Sequence, residues 1–104
     1  MDIVVLHQCE REIKDFPEEI IGDVLDCIAK LRSGIKLSMP LSRPMPSLGK
    51  SLHELRLKDR NGQYRVIYYF KVADAIYLVH AFRKKTEQTE QKDINVALRR
   101  IKQI

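Results

Sequence analysis

Leu52-His53-Glu54-Leu55-Arg56-Leu57, Gln63-Tyr64-Arg65-Val66-Ile67-Tyr68-Tyr69-Phe70 and Ala75-Ile76-Tyr77-Leu78-Val79-His80-Ala81-Phe82-Arg83 all read with a period of two. That is the repeat of a strand, whose successive side chains leave on opposite faces. In the first stretch His53, Leu55 and Leu57 share a face and Glu54 and Arg56 take the other. In the second, Tyr64, Val66, Tyr68 and Phe70 oppose Arg65, Ile67 and Tyr69. In the third, Ile76, Leu78, His80 and Phe82 oppose Tyr77, Val79, Ala81 and Arg83. Asp59-Arg60-Asn61-Gly62 carries an Asn-Gly hairpin signal, and Ala73-Asp74 is read as the second reversal. Three antiparallel strands in a meander follow.

Upstream, Ile3-Val4-Val5-Leu6 reads as a short buried strand, β-branched and without alternation. Cys9, Ile13 and Phe16 keep helical spacing up to Pro17. Ile20, Ile21, Val24, Leu25, Ile28 and Leu31 then make the apolar stripe of a second helix, which Ser33-Gly34 ends. Asp15 with Glu18 reads as its capping box. Residues 35–51, with Pro40, Pro44 and Pro46 and with Ser42, Ser47 and Gly49, read as a connector without regular structure. At the other end Thr89 reads as the cap of a last helix whose stripe is Ile94, Ala97, Leu98 and Ile101. Glu90 and Asp93 near its start and Arg99, Arg100 and Lys102 near its end suit the helix dipole. The order β-α-α-β-β-β-α predicts an α+β domain over residues 1–104, with a helical layer on one face of the sheet.

The 104 residues are one domain's worth of chain. Charge is unevenly spread. Residues 1–50 carry 7 Lys/Arg and 8 Asp/Glu, whereas residues 51–104 carry 12 and 6, a net of +6. A basic half on a small domain is an electrostatic footprint for a polyanion, and a solubility surface is the plainer alternative. No apolar run is long enough to span a membrane and the first residues are not a signal peptide, so a cytoplasmic protein is expected. Cys9 and Cys27 fit neither a disulfide scaffold nor a zinc site and read as core thiols. No phosphate loop, nucleophile elbow or metal spacing is present, so neither metal nor cofactor is expected.

The chemistry-bearing pattern is the basic side of the meander. Arg56 and Arg65, on the non-core faces of neighbouring strands, share a surface with Glu54, and Arg83, Lys84, Lys85 and Thr86 run off the last strand toward it. Guanidinium groups hold phosphate with two parallel hydrogen bonds, and an ammonium stabilises a developing dianion. Tyr69 and Phe82 offer ring faces to a splayed base, and Lys58 and Arg60 extend the basic track. Against this stands a solvated face whose Glu54 merely pairs with Arg56 or Arg65. His53 and His80 fall in register with apolar neighbours and read as hydrogen-bonded core histidines.

Leu52-His53-Glu54-Leu55-Arg56, Tyr64-Arg65-Val66-Ile67-Tyr68 and Val79-His80-Ala81-Phe82-Arg83-Lys84-Lys85-Thr86, followed by a helix with Ala97, resemble the phage-derived HigB-like branch of the RelE/ParE toxin superfamily. The resemblance covers essentially the whole chain. It departs at Glu90, where proline is frequent, and at His53, where an aromatic residue is common. It implies a RelE-like fold and the toxin of a toxin–antitoxin pair that cleaves mRNA on the ribosome without a metal. Its partners would be a cognate helix-turn-helix antitoxin and ribosome-bound mRNA, with no membrane. The toxin itself would be a monomer that forms a hetero-oligomer with the antitoxin. The implied catalytic set is Arg56, Arg65, Lys84, Lys85 and Glu54, with Arg83, Thr86, Phe82, Tyr69, Lys58 and Arg60 binding RNA. Two other readings stay open: a ParE-like inhibitor of DNA gyrase, and a non-catalytic phage-derived nucleic-acid-binding protein.

Overall fold

The computed structural model describes residues 1–45, 48, 51–72, 75–86 and 88–104. In chain order the elements are β1 (Asp2–Val5), α1 (His7–Lys14), α2 (Glu18–Arg32), β2 (Ser42–Pro44), β3 (Leu52–Asp59), β4 (Gly62–Val72), β5 (Ala75–Lys84) and α3 (Gln91–Ile101). The α+β class and the β3-β4-β5 meander stand as expected. Among the described residues the strands form one mixed five-stranded sheet in the order β1-β5-β4-β3-β2, with β1 parallel to β5 and the other pairs antiparallel.

Several expectations need correction. The connector holds a strand: Ser42, Arg43 and Pro44 pair with Leu55, Glu54 and His53. Proline is tolerated there because β2 is an edge, where one side of the backbone needs no ladder partner. Pro46, Ser47, Gly49 and the Ala73-Asp74 reversal lie outside the described residues. β1 is an edge strand rather than a buried one, and Val4 faces solvent. The capping box does not form: Asp15 closes α1 and Pro17 precedes α2 without a side-chain cap. Glu90, not Thr89, occupies the N-cap position of α3. The hairpin turn over Asp59-Arg60-Asn61-Gly62 forms as expected, with Asp59 paired to Gly62 and the Asn61 N–H donated to Asp59 Oδ1 at 2.8 Å. A Cβ at Gly62 would stand 2.7 Å from Arg83 Nε, so a larger residue there would displace the end of that flexible side chain.

Helices cover both faces of the sheet rather than one. Cys9, Ile13 and Phe16 of the first helical segment and Ile20, Val24, Cys27, Ile28 and Leu31 of α2 pack on Leu55, Leu57, Tyr64, Val66, Tyr68, Ile76, Leu78 and Ala81. On the opposite face, Ala97 of α3 seals a smaller core of Leu52, Ile67 and Val79, flanked by Tyr69, Tyr77, Phe82, Leu98 and Ile101. Both cysteines are buried as expected.

The strict alternation expected in β5 fails at one point. Ile67 pairs with His80 but Tyr68 pairs with Leu78, so Val79 and His80 together oppose one residue of β4. Such a β-bulge turns every later side chain onto the other face. Ala81 therefore joins the α1/α2 core, and Phe82 goes to the α3 side.

His80 sits at the bulge beside the outer edge of β5, which β1 follows only as far as Leu78. Its Nδ1 lies 3.2 Å from Glu12 of α1 and its Nε2 2.8 Å from Asp93 of α3. Arg100 of α3 grips the same Glu12 with two bonds of 2.8 and 3.0 Å, and Glu12 also accepts the Ala81 N–H at 3.1 Å. This network ties α3 to the body alongside its apolar contacts, in which Ala97 is the one fully buried residue among the described residues of that helix. His80 is thus the hydrogen-bonded core histidine expected.

Burial alone would raise the Glu12 carboxyl, but the bonds from His80, Arg100 and Ala81 outweigh it and hold the group at about 2 instead of 4.5. A carboxyl depressed in the folded state gives stability that is complete above the unfolded value and lost as pH falls through the folded one. Melting followed by circular dichroism should therefore show a loss of about 2 kcal/mol between pH 4.5 and pH 2 that Glu12→Gln removes. Equal acid sensitivity in the two proteins would refute it.

Candidate functional site

The bulge brings Lys84 to the basic cluster. Across the outer half of the sheet Arg56 pairs with Arg65 and Arg65 with Phe82, while Lys58 pairs with Gln63 and Gln63 with Lys84. Directly paired residues point to the same face, so Arg56, Lys58, Gln63, Arg65, Phe82 and Lys84 share one surface. Glu54, two residues before Arg56, lies on that face too, and Arg43 of β2 pairs with it. α3 covers only the part of this face around Leu52, Ile67 and Val79. A cleft of about 340 Å3 stays open, lined by Pro40, Leu41, Arg56, Leu57, Lys58, Gln63 and Arg65.

Arg65 is more deeply placed than its half-polar face suggests: it is 2% exposed, and Glu54 is 4% exposed. Its Nη2 donates to Gln63 Oε1 at 2.8 Å and its Nη1 to the Tyr64 carbonyl at 3.2 Å. Its Nε stands 3.5 Å from Glu54 Oε1, an ion pair too long to be a hydrogen bond. Among the described residues that Nε is the buried side-chain polar atom left without a partner. Burial pulls the Arg65 pKa down, Glu54 opposes this and Arg56 adds to it. The second oxygen of Glu54 accepts the Thr89 hydroxyl. With one oxygen hydrogen-bonded, the other facing Arg65 and the group almost out of solvent, Glu54 is placed to orient Arg65.

Lys84 ends β5 beside these cations. Burial lowers its pKa first, followed by repulsion from Arg65, while Glu54 pulls it back and Arg56 and Arg43 push it further down. An ammonium so placed gives up its proton more readily than a free lysine does.

The other expected site residues divide. Phe82 is half-buried beside Arg65 and stacks on His80, with ring centroids 5.0 Å apart. Lys58 lines the cleft, whereas Arg60 sits exposed at the hairpin tip. Lys85 and Thr86 are exposed beyond the strand end, Thr86 turning its hydroxyl to the Gln88 carbonyl at 2.5 Å. Arg83 leaves the cluster: its guanidinium lies over the Tyr64 ring at 6.0 Å and donates to the Asn61 carbonyl, on the face away from Arg65. Tyr69 pairs with Leu52 and Tyr77 and, partly buried like Phe82, packs against the α3 core. Arg43, Gln63 and Thr89 join the cluster although the sequence pattern did not single them out for it. Arg43 sits in a proline-rich stretch, Gln63 is neutral, and Thr89 is 35 residues from the Glu54 it touches.

Among the described residues no three His, Cys, Asp or Glu side chains converge as a metal site requires. No helix there is long and apolar enough to cross a membrane. The family model described as "Phage derived protein Gp49-like (DUF891)" matches residues 11–102, from α1 to the end of α3. No match is found among curated proteins.

Arg65→Ala leaves the Glu54 carboxylate buried with the Thr89 hydroxyl alone, and chemical denaturation should register a loss of about 1–3 kcal/mol. Adding Glu54→Gln should recover part of that loss, whereas fully additive losses would mean that the pair is not coupled. An NMR titration of the Lys84 ammonium should move upward in Arg56→Gln and further downward in Glu54→Gln. The opposite signs would refute the charge balance described for Lys84.

Proposed function

This chain belongs to the phage-derived Gp49-like family, and on that footing we propose that it is a toxin that cleaves mRNA without a metal, on the ribosome and under the control of a helix-turn-helix antitoxin. The observation that carries the reading is the open cleft lined by Arg56, Lys58 and Arg65, with Lys84 paired across the strands to Gln63 of the same lining. Its dimensions and charge suit a phosphodiester, and its resemblance to RelE-like toxins extends over the same strands.

The reaction divides among these groups as follows. The RNA 2′-oxygen attacks the neighbouring phosphorus and passes its proton to solvent water, the O2′–P bond forms, and the P–O5′ bond breaks as the 5′-oxygen gains a proton from Lys84. A 2′,3′-cyclic phosphate and a 5′-hydroxyl result. Arg56 and Arg65 hold the phosphate and neutralise the charge that builds on it in the transition state. Lys84, with its proton loosened by burial and by the surrounding arginines, protonates the leaving oxygen. Glu54 fixes Arg65. Phe82 offers the ring on which a neighbouring base stacks, and Lys58 and Lys85 steer the strand.

Induced expression should arrest growth and translation, and mapping of transcript ends should reveal new cuts. Lys84→Ala and Arg65→Lys, both checked for normal melting, should lower cleavage by about a hundredfold or more and about tenfold, respectively. Toxicity that persists in Lys84→Ala combined with Arg56→Ala would remove this site. Intact transcripts with a DNA-damage response would instead favour gyrase inhibition, and binding without cuts or arrest a nucleic-acid-binding protein. RNA affinity should fall at least tenfold as salt rises from about 50 to 200 mM, because several phosphate contacts release counterions. A salt-independent affinity would take the basic face out of the interface.

A further inference from the structure

The Arg65–Glu54 pair is unusual for a buried arginine and carboxylate. Such a pair normally closes as a fork of two parallel hydrogen bonds. Here a single Nε to Oε1 approach of 3.5 Å joins them, and the Nε has no hydrogen bond although Arg65 is almost entirely enclosed. Two neutral side chains account for the open fork. Gln63 takes Arg65 Nη2 at 2.8 Å, and the Thr89 hydroxyl occupies Glu54 Oε2, the oxygen that would otherwise turn toward the guanidinium. A carboxylate that closed on Arg65 would satisfy the orphaned Nε. It would also neutralise the guanidinium and draw it away from the cleft that it lines together with Arg56, Lys58 and Gln63.

We propose that Thr89 is a positioning residue, whose hydroxyl holds the Glu54 carboxylate half-turned from Arg65 so that the Arg65 guanidinium is left outside a closed ion pair and directed at an anion in the cleft. Thr89 lies two residues before α3, the helix seated by Asp93 on His80 and by Arg100 on Glu12. The hydroxyl is therefore placed by the docking of that helix, and the seat of α3 sets the charge presented at the cleft. The kinetic part of this inference rests on the cleavage reading above; the remainder concerns only the pair and an anion.

Thr89→Val removes the hydroxyl at constant size, and Thr89→Ser restores it. In 15N-labelled protein the Arg65 Nε–H resonance, assigned by its loss in Arg65→Lys, should shift in Thr89→Val and exchange more slowly with water as Glu54 closes on it. Inorganic phosphate, titrated against the same resonances, should bind about tenfold more weakly. RNA cleavage should lose about tenfold or more in kcat with KM changed little. Thr89→Ser should behave as the natural protein in all three, and Thr89→Ala replaces the valine variant should that one fail to fold. An unshifted Nε–H resonance with unchanged phosphate affinity would overturn the proposal, even if Thr89→Val melted earlier. If the natural protein cuts no RNA, the cleavage reading falls, and the resonance and the phosphate titration still decide the role of Thr89.

Discussion

One extra residue in β5 governs much of this molecule. With Val79 and His80 both set against Ile67, the strand changes the parity of its side chains halfway along. Before the bulge Ile76 and Leu78 serve the core beneath α1 and α2. After it Phe82 and Lys84 arrive beside Arg65 and Arg56 on the other face. Continued alternation would have sent Lys84 toward the apolar core and left the arginines without their ammonium neighbour. A bulge costs a ladder hydrogen bond and is retained where a strand must re-aim its side chains.

The bulge also explains how a helix with little apolar contact is kept in place. Burying Ala97 with partial cover from Leu98 and Ile101 yields a modest hydrophobic gain, so polar contacts must contribute. His80 stands between Glu12 and Asp93 at a part of the β5 edge that β1 does not reach, and Arg100 closes the ring onto Glu12. Three segments far apart in sequence meet there. A partly buried network with its donors and acceptors matched is stiff, and removing one member leaves the others exposed to the full cost of desolvation. The same helix start carries Thr89 to Glu54, so the clamp at one edge of the sheet and the cationic cleft at the other are joined through α3.

The cleft itself gathers like charges at some expense. Arg43, Arg56, Arg65 and Lys84 repel one another, and among the described residues Glu54 is the carboxylate that stands among them. Arg65 bears that load inside the protein with an unsatisfied Nε. An unpaired buried donor and an excess of positive charge are costs that folding alone does not repay, and an anionic ligand would relieve both. That electrostatic imbalance, more than the count of basic residues, is the feature on which the proposed function draws.

Much of this was written locally. The period-two stretches fixed β3, β4 and β5 as a meander, the i, i+4 stripe fixed α2, and Ser33-Gly34 marked its end because only the glycine takes the positive φ of 85° that closes the turn. Arg56, Arg65 and Glu54 on one face also followed from alternation, since neighbouring strands in register must align their faces. What alternation could not supply was the register shift at Val79, and with it the side on which Phe82, Arg83 and Lys84 emerge. A bulge is decided by how β5 packs against two helical layers at once, and the sequence of the strand contains no period that announces it. The short β2 strand, the double cover of the sheet and the meeting of Thr89 with Glu54 were hidden for the same reason. Each depends on contacts between residues far apart in the chain, and those energies exist only once the chain has closed on itself.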